Sequence, residues 1–122
     1  RLALSQQFDY PYLLPGQGEG AAEVIAAWSP FNSQVESLRA LRSQLLLRWF
    51  GDERARHSLS IVSVDRGDGR SYLAANLAVV FSQMGERTLL IDADLRNPCQ
   101  HRLFGIPGGH GLSTILADRS DT

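Results

Sequence analysis

Two short runs in this 122-residue chain bring together residue types suited to phosphate chemistry. The first is Val64-Asp65-Arg66-Gly67-Asp68-Gly69-Arg70-Ser71, with Tyr72 directly after it. Gly67 and Gly69 can take positive φ angles and so turn backbone N–H groups inward onto an anion. A helix starting at Ser71 would add the positive end of its dipole. The Ser71 hydroxyl stands where loops of this kind offer a ligand to magnesium. The run departs from the pattern G-x-x-x-x-G-K-[ST] at two places, with Val64 at the first glycine and Arg70 at the lysine. Lysine delivers a compact charge, whereas arginine is a wider planar fork on a longer stem. Asp65 and Asp68 also put negative charge beside the anion. Taken alone, the loop fits both a nucleotide site and a plain glycine-rich turn from strand to helix.

The second run, Leu89-Leu90-Ile91-Asp92-Ala93-Asp94-Leu95-Arg96, sets two carboxylates at the end of an apolar stretch. In open α/β sheets the C-terminal edge of the strands is where ligands bind. Alternation along an extended chain points Asp92 and Asp94 the same way, toward one metal or one proton-transfer site. Hard oxygen ligands there suit magnesium carried with phosphate. The plainer alternative is that Asp92 caps a turn while Asp94 is solvated. His101, His110 and Cys99 lack the spacing of a zinc site.

These residues need elements to hold them. Residues 58–64 and 88–91 are short, apolar and rich in β-branched side chains, which predicts two buried strands. Between them, 71–84 places Leu73, Leu77, Val80, Phe81 and Met84 on one helical face, with Gly85 as the stop. Strand, glycine loop, helix and strand make a βαβ unit, so the expected class is α/β with a parallel sheet. Upstream, Val35, Leu38, Leu41, Leu45 and Trp49 predict a helix over 34–49, capped by Ser33 in a box with Glu36 and stopped by Gly51. Residues 21–28 read as a short helix, 112–116 as the start of another, and Pro15 to Gly20 as a linker. A formal charge of −1 gives no basic field for nucleic acid. A single cysteine excludes an internal disulfide and fits a reducing compartment. No apolar run approaches the roughly 18–20 residues that cross a bilayer. Because the chain opens on Arg1 and closes on a polar stretch, it reads as a fragment.

The runs resemble the bacterial tyrosine kinases, in the ParA/MinD-like branch of P-loop ATPases. Ser63 through Ala78, with Gly67-Asp68-Gly69-Arg70-Ser71 and Asn76-Leu77-Ala78, is similar to that family's phosphate loop. Leu89 through Arg96 is similar to its Walker A′ motif, and Asn97-Pro98, Gln100-His101, Phe104-Gly105 and Gly111-Leu112-Ser113 fit the family's run after that motif. Glu36, Arg39 and Arg42 match an E-x-x-R-x-x-R motif that the family uses for ring-like self-association. The likeness runs from about Ser33 to Ala117 and points to the kinases of exopolysaccharide chain-length determination, where arginine also replaces the lysine.

The resemblance implies a P-loop NTPase-like (MinD/ParA-like) parallel sheet. Residues 1–30 would be the tail of a small preceding domain with its linker, and 31–122 the N-terminal half of the kinase domain. It further implies ATP or ADP with Mg2+ as cofactors, held by Arg66, Gly67, Asp68, Gly69, Arg70, Ser71 and Tyr72. The metal would sit on Ser71, Asp92 and Asp94. Arg70, Asp92 and Asp94 would act in catalysis, the carboxylates also taking the proton of an incoming tyrosine hydroxyl. The implied partner is a membrane polysaccharide co-polymerase, which would hold a cytoplasmic protein at the inner membrane. The sequence reaches neither a Walker B aspartate nor a C-terminal tyrosine cluster, so the isolated chain is expected to be inactive. Asp65 stands where MinD-type ATPases carry a lysine, which argues against a partition role. The alternative functions are a non-catalytic nucleotide-binding scaffold and a ParA-like ATPase with a degenerate loop.

Overall fold

A computed structural model describes residues 24–51 and 56–117. The readings made on 1–23 lie outside the described residues, as does the 118–122 terminus. The elements are α1 (Ile25–Trp28), α2 (Ser33–Leu45) continuing as a wider π-type turn (Leu46–Phe50), α3 (Arg70–Ser82), α4 (Gln100–Leu103) and α5 (Leu112–Leu116).

Helix α2 starts differently from the expected cap. Asn32 keeps an extended backbone, and its side chain accepts the N–H of Gln34 at 2.8 Å. Ser33 is therefore already helical, the box with Glu36 does not form, and Glu36 pairs with Arg39 at 2.6 Å. Asn and Ser are both good caps, and the one with non-helical φ and ψ takes the position. The α-helix also stops at Leu45 rather than running to Trp49. In the wider turn, Phe50 meets Phe81 edge to face at 5.6 Å. Trp49 Nε1 donates to the Ser58 carbonyl at 2.9 Å, beneath the Arg56 guanidinium. Gly51 ends the turn at φ −84°, so handedness is not why glycine is there. A Cβ at Gly51 would lie 2.6 Å from the Leu46 carbonyl oxygen, which leaves no room for a side chain.

The core lies where α1 and α2 pack on α3. Ala26, Val35, Leu38, Leu77 and Val80 are buried, with Leu45, Ile61, Leu73 and Phe81 packed around them. Each buried valine or leucine contributes about 1.5–3 kcal/mol. A four-residue helix such as α1 cannot hold itself, since nucleation is costly. Side chains of α3 and of the residue that follows it hold it instead. Asn76 Oδ1 accepts the N–H of Ala26 at 3.0 Å, and Gln83 Nε2 donates to the Ala26 carbonyl at 3.0 Å.

The two expected strands are not formed. Residues 56–63 and 86–94 are non-helical, and no strand ladder appears among the described residues. Both runs line a single open groove of about 1310 Å³ beside α3. A strand is stable only when a neighbour takes up its backbone groups. Ile61 reaches the core, while Val62 and Val64 are 81% and 96% exposed and Leu89 and Ile91 are 61% and 58% exposed. The chain order of segment, glycine loop, helix and segment matches the α/β reading, but the sheet itself is absent from the described residues.

Candidate functional site

The glycine loop has the backbone expected of it. Gly67 and Gly69 stand at φ +84° and +79°, in the region that penalises every residue with a Cβ. Asp68 folds back on the loop, its carboxylate accepting the N–H of Asp65 at 3.1 Å. Gly69 precedes α3, and no side chain caps that helix. The first N–H groups of a 13-residue helix therefore face the loop with the positive end of its dipole. Two left-handed glycines and an uncapped helix start suit an anion such as a phosphate.

Arg70 lies across this opening. One guanidinium nitrogen donates to Asp94 Oδ2 at 3.0 Å and the other to Ser63 Oγ at 3.2 Å. The planar fork thus bridges the junction before α3 and the Asp-x-Asp turn, which a single ammonium would not do in the same way. Asp94 is held below the ordinary carboxylate pKa of 3.8, first by the N–H of Asn97 and then by the N–H of Arg96, with Arg70 and Arg66 adding attraction against partial desolvation. A carboxylate kept ionised in this manner suits cation contact better than proton uptake.

Asp92 has a different task. Its Oδ2 accepts the N–H groups of Cys99 and Gln100 at 2.8 and 2.9 Å, and its Oδ1 accepts the N–H of Asp94 at 3.1 Å. It therefore caps α4 and fixes the turn between the carboxylates, as the plainer alternative has it for Asp92. Asp94 is not merely solvated, because Arg70 holds it. Gln100 completes the cluster by donating from Nε2 to the Ser71 carbonyl at 3.0 Å. Arg70, Ser71, Asp92, Asp94 and Gln100 all line the same groove. Among the described residues no three His, Cys, Asp or Glu side chains gather as a metal site. A divalent cation here would depend on the Ser71 hydroxyl, the two carboxylates, water and phosphate oxygens.

Other nominated residues lie apart. Tyr72 turns away from the loop, its hydroxyl donating to Gln34 Oε1 at 2.9 Å. Glu36 and Arg39 form their ion pair on α2, away from the groove. Arg42 points inward, donating from Nη1 to the Val80 carbonyl at 2.6 Å. With Tyr72 at one end and Arg42 at the other, α2 is strapped to α3 along its length. Asn76 and Gln100 enter the sequence reading only within runs that resemble the family and receive no site role there, although both make contacts that organise the site and its support. The further signal for Asn76 is a polar residue on an otherwise apolar helical face; Gln100 has only its place in the Gln100-His101 run.

No family model matches the chain. It is 40% identical over 97 residues to the tyrosine-protein kinase YwqD of Bacillus subtilis, covering 80% of this chain and 40% of that protein. It is 36% identical over 91 residues to the putative tyrosine-protein kinase CapB of Staphylococcus aureus, covering 75% of this chain and 39% of that one. The tyrosine-protein kinase wzc of Salmonella typhi is 35% identical over 101 residues, or 82% of this chain and 14% of its own. The crystal structure of the chimerical protein CapA2B2 superposes with a TM-score of 0.73 at 34% identity, covering 98% of this chain and 50% of that one. The chain thus spans about 40% of YwqD and of CapB and much less of wzc. Likeness at this level across three-quarters or more of its residues makes the chain a member, over that segment, of the bacterial tyrosine-protein kinase family.

Proposed function

We propose that this chain is the ATP-binding portion of a bacterial tyrosine autokinase that regulates exopolysaccharide chain length and export. The observation that carries the reading is the pair of left-handed glycines leading into the uncapped start of α3, with Arg70 and Asp94 at its mouth. Residues 66–71 would hold the phosphates of ATP or ADP, with Arg70 as the cation and Tyr72 contributing no more than its backbone N–H. Ser71, Asp92 and Asp94 would hold Mg2+. Bound MgATP supplies the phosphoryl group, and such transfers are governed by positioning and charge. The chain's own part is to orient the phosphates on backbone N–H groups and to keep Asp94 ionised beside Arg70. Asp92 acts by fixing the turn.

The parallel sheet belongs to this proposal. A strand from the remainder of a parent kinase, lying along the groove between 56–63 and 86–94, would give both segments a ladder and cover their exposed apolar side chains. Self-association would use Glu36 and Arg39 on α2, while Arg42 sets the helix on α3. A membrane polysaccharide co-polymerase is the proposed partner, holding the kinase at the cytoplasmic face of the inner membrane. Among the described residues no helix is long and apolar enough to cross a membrane. The engagement of Arg70 by Asp94 and Ser63 favours one second reading, a scaffold that binds nucleotide without turnover. Incubating the full-length parent with MgATP separates the two. The autokinase reading expects phosphotyrosine to accumulate and Ser71→Ala to abolish most of it. Nucleotide binding with no phosphotyrosine in the wild type would leave the scaffold.

A further inference from the structure

Only one of the two polar atoms of the Gln100 side chain is hydrogen-bonded. Its Nε2 faces the Ser71 carbonyl, and since a carbonyl only accepts, the amide orientation is chemically fixed. Its Oε1 is buried and accepts no hydrogen bond. An unmade bond of this kind is costly, so such an oxygen points to a donor that arrives with something else. Gln100 lines the groove with Ser71, Asp92 and Asp94, and its own N–H is held by Asp92. Hydrated magnesium is a source of donors of the right kind, because it gives up its waters reluctantly and keeps several when protein bound.

We propose that Gln100 is a positioning residue for the hydrated divalent cation, its amide nitrogen fixing the Ser71 main chain and its amide oxygen accepting a hydrogen bond from a metal-bound water. Asp92, Gln100 and Ser71 then form one relay from the Asp-x-Asp turn to the helix start, parallel to the direct contact of Asp94 with Arg70. This inference rests on the nucleotide reading of the loop.

The test is calorimetric titration of ADP into the full-length parent, once with Mg2+ and once with the metal removed by chelator. Wild type, Gln100→Leu and Gln100→Glu are compared, with melting temperatures measured for each. In Gln100→Leu, MgADP affinity is expected to fall roughly tenfold more than metal-free ADP affinity, since loss of the Nε2 contact to Ser71 acts on both complexes while loss of the water's acceptor acts only on the magnesium one. Gln100→Glu keeps an acceptor oxygen and is expected to retain the preference for the magnesium complex even where the Ser71 contact is weakened. Equal loss with and without metal, or no loss in either, overturns the assignment. If the wild type itself binds no MgADP, the nucleotide reading fails and this inference fails with it. A wild type that binds while Gln100→Leu matches it overturns the role of Gln100 alone.

Discussion

Replacing Arg70 with alanine is expected to weaken MgADP binding by the full-length parent roughly 10- to 100-fold, the equivalent of one charge-assisted hydrogen bond at about 1.5–3 kcal/mol. Two effects act in the same direction. The proposed phosphate site loses the Arg70 cation, and Asp94 loses its ion-pair partner, so that its negative charge beside the anion site is held only by the N–H groups of Arg96 and Asn97. The second effect is separable with metal-free ADP, because Asp94→Asn in the Arg70→Ala background removes the repulsion together with a proposed Mg2+ ligand and should recover part of the affinity only where no metal is needed. A non-additive cycle is the expected signature of groups in direct contact. Arg70→Lys keeps the charge but not the simultaneous reach to Ser63 and Asp94, so it should fall between the two. Unchanged MgADP affinity in Arg70→Ala would remove Arg70 from the site.

The largest effect on stability is expected at Asn76. This side chain is fully buried, accepts the N–H of Ala26 and donates to the Tyr72 carbonyl at 3.0 Å. Asn76→Leu is similar in volume but strands the Ala26 N–H against an apolar group, at about 1–3 kcal/mol for each unsatisfied buried partner. It also unfastens α1, whose residue Ala26 belongs to the core. A loss of about 2–4 kcal/mol should lower the melting temperature of the folded parent by roughly 5–15 °C. A shift of under about 2 °C by thermal scan, less than even 1 kcal/mol would give, would show that Asn76 is not what holds α1 on α3.

These residues also mark how far the sequence carries. The backbone of the glycine loop was legible because positive φ selects glycine, and Gly67, Gly69 and Gly85 all adopt it. Helix α3 was legible from its apolar face, and Leu77 and Val80 are in the core. Helix α5 was legible at 112–116. The cap of α2 was not, because Asn32 and Ser33 are adjacent and equally suited, and backbone geometry alone decides between them. Segments 58–64 and 88–91 carry strand composition, yet strand formation depends on a partner that composition cannot supply. Long-range polar contacts were the hardest. Nothing in E-x-x-R-x-x-R announces that Arg42 reaches 38 residues along the chain to the Val80 carbonyl. Nor does Gln100 advertise its hold on Ser71, since one glutamine in a short helix has no periodicity to betray it.

If nucleotide phosphate sits on the loop that opens α3, its arrival must change the solvent access of the amides there. Amide hydrogen exchange on the full-length parent, with and without saturating MgADP, measures this directly. Slower exchange is predicted at the amides of residues 67–72, where the phosphate would take up exposed N–H groups, and at 92–100, where the carboxylate turn would be tightened. Saturating MgADP binding that leaves both stretches unchanged and protects another part of the protein would contradict the placement of the nucleotide on this loop.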